Sequence, residues 1–545
     1  MISFLFNVLT TSLLPPYHFA QILDHNDVYC TQYFNQTYYS DNSNPPLNHE
    51  TLIIIVGGAN KFDSTILELP HIQQLRENTK ALLFGLEHRY FGTSLPNISI
   101  NSSSNCKYNN NYNDNYNSNY YNNFDHNYDD NSNNNNSNNN ELNLEIENYT
   151  FLTVDQALSD LANFIKYLQQ IHCSSQKCKV ILAGSEYAGS LSVWFKIKFP
   201  HFVDAVWASS APLNAQVDFT GASVAAGGRV FNYDHNCYNS LREFLYKFDK
   251  LRPGDFFHIF GFPDDLNDTS SFSIISDFIE YISLNETLQP MLQKLCMNVE
   301  MENFARVFNE TFSLLNLNSL SIDPFRVEND RRAMAYLNCH ELNWMKISSP
   351  NIGPSFKLGS NNISNQYHRE VCNYLFDYMP PTPADYRKLD LFNLKFGGRK
   401  PGVKFTVFST ALYDPWEYLE IVSTFNSSEL FIQSYGNHSI GADLISNFDS
   451  PELTLARNNV ILKLTEWVNG CNNNCGNHGY CYFGKCQCKK DYTGDQCETR
   501  VMKYDNYKLL SITSTLLPTL MFLLIGGVLW FVNIKLIDQT VAPRH

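Results

Sequence analysis

The stretch AGSEYAGSL, Ala183 to Leu191, places an acid where its neighbours leave room for a reactive group. An apolar run, Lys179-Val-Ile-Leu, leads in as a strand, and Tyr187 to Phe199 follows with a helical pattern. Gly184 two positions before the centre, Ala188 two after and Gly189 behind it are the small residues that a tight strand-to-helix turn needs. Such a turn lifts its central side chain above the sheet, and that side chain is Glu186. Two later residues could complete a reaction centre. Asp414 follows the strand-like KFTVFS within STALYDPW, and His438 follows ELFIQ within YGNHS. Nucleophile, acid and imidazole in that order, each at a strand end, is an arrangement for acyl transfer. Taken singly, an Asp before Pro reads as a turn former and a lone His as a surface residue, so the weight rests on the joint order.

A carboxylate at the centre changes the chemistry. Acyl transfer through a covalent intermediate needs a hydroxyl or thiol whose proton a neutral imidazole can take, and a carboxylate offers none. Glu186 beside His438 is expected to form an ion pair, which favours imidazolium and removes the general base. Ser185 is the nearest substitute nucleophile, but one residue earlier its Oγ is expected to point off the axis of the turn. An elbow carboxylate attacking alkyl carbon is another alternative. Enzymes of that kind use Asp, and Glu is one methylene longer.

The elements that must hold these groups follow from the run of the chain. Short apolar stretches, Leu52-Ile-Ile-Ile-Val, Ala81 to Leu86, Lys179 to Leu182 and Lys404 to Phe408, alternate with helical patterns from about residue 21 to 470. That alternation predicts an α/β sheet domain. From 215 to 395 helical patterns dominate, as in SLREFLYKF, SDFIEYI and ENFARVFNETFSLL, which predicts a helical cap inserted between two parts of one sheet. Residues 101–147 collapse into Asn, Tyr, Asp and Ser, a composition expected to form a disordered surface insertion.

The chain has 545 residues, and its 43% hydrophobic content can bury a large core. Its 39 basic against 54 acidic residues give a formal charge of -15, which argues against nucleic acid or an anionic membrane surface as the main partner. Fourteen cysteines and sequons at Asn35, Asn97, Asn267, Asn285, Asn309, Asn362 and Asn426 point to the secretory pathway, with disulfides and glycans. A further sequon, Asn437-His438-Ser439, would set a glycan beside the imidazole. Residues 1–20 read as a signal peptide with cleavage before Gln21, although its first residues carry no Lys or Arg. Cys173 and Cys178 are close enough in sequence to be a candidate pair. No cofactor or metal is expected.

The motifs LEHRYFGTSLP (Leu86 to Pro96), TVDQALSDLANFI (Thr153 to Ile165), WFKIKFPHFVDAVWASSAP (Trp194 to Pro212), LNCHELN (Leu337 to Asn343), NLKFGG (Asn393 to Gly398) and DPW (Asp414 to Trp416) carry a resemblance. The chain from about Gln21 to Gly470 resembles the serine carboxypeptidase family of lysosomal Pro-Xaa carboxypeptidase, dipeptidyl peptidase II and thymus-specific serine protease. The resemblance implies an α/β-hydrolase domain with a helical cap, and exopeptidase activity near proline. It implies Asp414 as triad acid, His438 as base, and an oxyanion site at the Tyr187 backbone N–H with a loop at Gly57 and Gly58. The family's nucleophilic Ser falls on Glu186. Two further departures surround it: Thr410-Ala411 stands where the family has Asn-Gly, and two extra residues separate His438 from Asp443.

Beyond the sheet domain, residues 471–498 hold six cysteines spaced C-x3-C-x5-C-x4-C-x-C-x8-C, for which fifteen pairings are open. A zinc site lacks its C-x2-C spacing. With Gly479 in NHGYC and the ending DYTGDQC, the segment resembles a tenascin-type EGF-like module. The resemblance implies pairing of Cys471 with Cys481, Cys475 with Cys486 and Cys488 with Cys497. Residues 509–534 carry no charge, long enough for a transmembrane helix, and 535–545 would form a short cytoplasmic tail. The orientation expected is type I, at the plasma membrane or in the endolysosomal system, with the ectodomain outside or lumenal.

Three functions compete: a membrane-anchored, peptidase-like protein with lost or reduced hydrolysis that binds peptide or protein ligands; an active serine-type peptidase cleaving near proline; and an adhesion or receptor protein using the fold as scaffold.

Overall fold

The structure, a computed structural model, describes residues 14–41, 51–96, 149–173, 178–252, 255–262, 266, 268–285, 288–314, 324–327, 329–348, 356–380, 387–421, 429–434, 451–469, 475–482, 485–501 and 520–532. It divides into two compact units, Met1–Asn469 and Gly470–His545.

The first unit is built on one eight-stranded sheet. Its strands are β1 (Tyr17–Ile22), β2 (Tyr33–Ser40), β3 (Thr51–Val56), β4 (Ala81–Leu86), β5 (Lys179–Ser185), β6 (Ala205–Ser209), β7 (Thr406–Ala411) and β8 (Glu429–Ser434). They lie in the order β1-β2-β4-β3-β5-β6-β7-β8. β1 and β2 run antiparallel, and the pairs from β4 through β8 are parallel. The parallel strands read as continuous apolar runs because helices cover both faces: every residue of β3, β4, β6 and β7 is buried. The covering helices are α1 (Pro70–Thr79), α2 (Val154–His172), α3 (Tyr187–Lys198) and, after the cap, a last helix (Pro451–Asn469). α2 starts where the Thr153 hydroxyl accepts from the Gln156 N–H at 3.2 Å, and its Val154, Leu158, Leu161 and Ile165 stripe packs into the sheet core.

Signal-peptide cleavage before Gln21 would cut β1 in two. Gln21 is fully buried and its amide donates to Gln36 Oε1 at 2.8 Å and to the Asp160 carbonyl at 3.1 Å. The 101–147 insertion lies outside the described residues, which stop at Pro96 and resume at Tyr149.

Between β6 and β7 the described residues are mostly helical. The cap helices used below are α4 (Gly221–Tyr233), α5 (His235–Phe248), α7 (Asp268–Leu284), α9 (Met301–Leu314), α10 (Asn329–Leu337) and α11 (Asn365–Phe376), with the short α6 (Asp255–Phe260) and α8 (Gln289–Met297) between them. The cap has its own core, rich in phenylalanine: Phe244 stacks on Phe304 with centroids 4.1 Å apart, and Phe278 and Phe308 meet edge to face at 5.0 Å. Disulfides Cys237–Cys296 and Cys339–Cys372 cross-link its helices, and Cys173–Cys178 closes the end of α2.

In the second unit, residues 479–482 pair with 485–488 and 492–493 pair with 499–500, all antiparallel. Cys475–Cys486 and Cys488–Cys497 are joined, while Cys471 lies outside the described residues. Among the described residues no helix is long and apolar enough to cross a membrane. The uncharged stretch 509–534 is described over 520–532, where the chain is helical and its large apolar side chains are exposed.

Candidate active site

The turn after β5 is the strained feature of the sheet. Glu186 has φ 53° and ψ -125°, a backbone region that non-glycine residues rarely occupy, at a cost of about 1–3 kcal/mol. Two contacts hold it there. The Glu186 N–H donates to the Ser209 carbonyl of β6 at 2.8 Å, and the Glu186 carbonyl accepts from the Ser190 N–H at 3.0 Å, opening α3. Gly184 must be glycine for the turn to close, since a Cβ there would lie 2.5 Å from the carbonyl carbon and oxygen of Ala188. At Gly189 a Cβ would come within 3.0 Å of Ala211 Cβ and the Gly184 carbonyl oxygen. Glu186 thus stands at the N-terminus of a twelve-residue helix, whose positive end favours a carboxylate.

Ser185 is the last residue of β5, paired in register with Ser209 of β6. It belongs to the ladder, one residue short of the strained position.

Tyr187, the first residue of α3, is buried and fixed from below. His88 Nδ1 is 2.6 Å from the Arg89 carbonyl, so that nitrogen carries the proton and donates. Nε2 is left to accept from the Tyr187 hydroxyl at 3.3 Å. Burial pushes the His88 imidazole down to about 4, which keeps it neutral in this role. Arg89 next to it is fully buried and makes a two-toothed ion pair with Asp160 of α2 at 2.6 and 2.5 Å, and Glu87 takes the Ser94 hydroxyl at 2.7 Å and the Phe62 N–H at 3.1 Å. The LEHRYFGTS motif is a rigid support under the turn.

Of the proposed oxyanion donors, Gly57 is excluded because its N–H is already given to the Leu86 carbonyl at 2.8 Å. Gly58 stands against the turn, where a Cβ would lie 3.2 Å from Ala188 Cβ. The Tyr187 N–H is at the first helical position, where the helix supplies no acceptor. Asp414 lies just beyond β7, 1% exposed, with one carboxylate oxygen accepting from the Trp416 N–H at 2.8 Å. His438 lies outside the described residues, as do Asn97, Asn267 and Asn426. Among the other sequons Asn35, Asn309 and Asn362 are exposed, and Asn285 is 8% exposed.

The turn opens into a cavity of about 190 Å³ roofed by the cap. Its floor includes Glu186, Tyr187 and Trp416, and its far wall brings Asp277 and Glu280 of α7, Arg331 of α10, and Lys346. Lys346 is ion-paired with Glu280. Burial pulls the Lys346 ammonium down, but Glu280, Asp277 and Glu186 outweigh it and hold it above its ordinary value. Burial pushes Asp277 up to about 6, against the pull of Lys346. His368 is pushed down to about 4 by burial, and its Nε2–H donates to the Lys346 carbonyl at 2.7 Å. Sequence reasoning missed this wall. Its one signal was two acids, Asp277 and Glu280, spaced i, i+3 in the apolar run SIISDFIEYI.

A mostly parallel sheet with this strand order, a strained turn after β5, an acid after β7 and a cap over the turn define an α/β-hydrolase-like protein. The chain belongs to the serine carboxypeptidase S28 family, whose pattern matches residues 21–115, 125–253 and 256–460. It is similar to lysosomal Pro-X carboxypeptidase of Homo sapiens, 27% identical over 196 residues, spanning 36% of this chain and 31% of that protein. It is also similar to the thymus-specific serine protease of Mus musculus, 22% identical over 490 residues, spanning 80% of this chain and 84% of that protein.

Proposed function

We propose that this chain is a serine-exopeptidase-like member of its family in which hydrolysis is lost or strongly reduced, and that it acts by binding peptide or protein ligands in the capped cleft. The observation that carries this reading is Glu186 at φ 53° and ψ -125°, in the strained position from which a nucleophile would act. A carboxylate there has no proton to give an imidazole. It also sets negative charge beside the N–H groups that would receive a developing oxyanion, opposing the stabilisation on which acyl transfer depends.

The same reading holds the protein at a membrane through residues 509–534, with the 471–498 segment as an EGF-like spacer and the ectodomain extracellular or lumenal. Two of the disulfides that such a module implies, Cys475–Cys486 and Cys488–Cys497, support that part. The test of the catalytic reading is turnover of a proline-containing peptide by the purified native chain beside Glu186→Ser. Turnover by Glu186→Ser alone supports a loss at the elbow; turnover by the native chain sinks the proposal.

A further inference from the structure

We infer that Asp330 is a positioning residue of the cleft: from the cap it fixes the loop that carries Gly58 and Ala59, so that this side of the elbow takes shape only with the cap seated. The role holds whether or not the elbow hydrolyses.

Asp330 lies in the first turn of α10, a cap helix, and each of its carboxylate oxygens accepts a backbone N–H from a loop of the sheet. Oδ2 takes the Lys61 N–H at 2.6 Å, in the loop after β3, and Oδ1 takes the Gly92 N–H at 2.9 Å, in the loop after β4. Hydrogen bonds to a carboxylate are roughly twice as strong as those between neutral groups, and two from one side chain fix direction as well as distance.

The same two loops are held from within by Glu87, which is fully buried. Its Oε1 accepts the Phe62 N–H at 3.1 Å and its Oε2 the Thr93 N–H at 3.0 Å. Each loop therefore gives consecutive N–H groups to two acids: Lys61 and Gly92 to Asp330, Phe62 and Thr93 to Glu87. The loops meet where only glycine fits, since Gly92 sits at φ 56° and a Cβ there would lie 2.1 Å from Glu87 Oε1 and 2.8 Å from Lys61 Cγ. Glu87 belongs to the sheet, so Asp330 is the half of the clamp that the cap brings.

What the clamped loop carries makes this a matter of the cleft. Gly58 stands against the elbow helix at Ala188, and Ala59 lines the cavity. α10 also gives Arg331, Met334 and Ala335 to that cavity. One helix both walls the cavity and holds the loop that lines it from the sheet.

The test is amide hydrogen exchange of the full chain at single-residue resolution, comparing the native protein with Asp330→Ala, Asp330→Asn and, as a control on an exposed cap acid, Glu302→Gln. Asp330→Ala should speed exchange roughly tenfold or more at Lys61 and Gly92, the scale of a lost charge-assisted bond, and should speed it at Gly58 and Ala59 too. Asp330 bonds neither of the last two, so they separate positioning of the cleft from a local bond. The cap core around Phe244 and Phe304 should exchange as in the native chain, and Glu302→Gln should alter neither loop. Asp330→Asn keeps one acceptor oxygen and should fall between the native chain and Asp330→Ala. Acceleration confined to Lys61 and Gly92 overturns the inference, as does none at all. An equal rise throughout the cap would make Asp330 a stability element only and overturns it as well. Should Asp330→Ala fail to fold, Asp330→Asn decides at the same residues.

Discussion

The backbone N–H of Glu186 and the carbonyl of Ser209 are 2.8 Å apart, and this bond locks the turn after β5 to the neighbouring strand β6. The strain at Glu186 is therefore held by the sheet and does not depend on what its side chain is. On the proposed reading, the turn keeps the geometry of a nucleophile position while the side chain it carries is a carboxylate.

Removing the strain should stabilise the domain. Glu186→Gly frees about 1–3 kcal/mol of backbone strain and loses about 0.5–1 kcal/mol to the greater freedom of unfolded glycine. A net gain near 1 kcal/mol in urea denaturation is expected. A loss of stability would show that the Glu186 side chain contributes more than its backbone costs.

Gly184→Ala should act in the opposite direction. The new Cβ would stand 2.5 Å from the Ala188 carbonyl group, which is backbone and cannot swing aside. A loss of roughly 1–3 kcal/mol is expected, with the midpoint of urea unfolding as the readout. An unchanged midpoint would mean that α3 can shift away from β5.

Beneath the turn, Asp160→Asn should be among the most damaging single changes. It breaks a bidentate pair with an Arg89 that is fully buried and leaves the guanidinium without its counter-charge. Breaking such a pair costs about 3–5 kcal/mol, enough to lower thermal stability by several degrees. A variant that unfolds like the native chain would contradict this.

His88, His340 and His368 are all pushed down to about 4 by burial. Each unfolded imidazole titrates near 6.5, so the unfolded chain binds more protons below that value. The stability contributed by neutral burial is present above pH 6.5 and is lost as pH falls toward 4. His368→Gln keeps a donor for the Lys346 carbonyl and removes the titration, so its stability should fall less steeply than that of the native chain between pH 6.5 and 4. Parallel curves would contradict the assignment.

The central strands were legible because burial on both faces writes them as unbroken apolar runs, as in TLIIIV and ALLFGL. β1 and β2 escaped notice because YHFAQI and YFNQTYYS mix polar and apolar residues in outer antiparallel strands, and β6 because five residues carry little pattern. Glu186, Asp414 and the cap were readable from local turns and helical periodicity. The cavity wall was not, since residues 186, 277, 331 and 346 converge only when the cap folds over the sheet, and no local pattern records that meeting. Gly57 failed as a donor for a similar reason: whether an N–H is already engaged is decided by the strand beside it.

The most direct test of the account is labelling of the purified native chain by a fluorophosphonate probe, which reacts only with an activated serine, with Glu186→Ser as the comparison. No labelling of the native chain is predicted, with labelling appearing in Glu186→Ser. Stoichiometric labelling of the native chain would contradict the account and place the nucleophile at another serine.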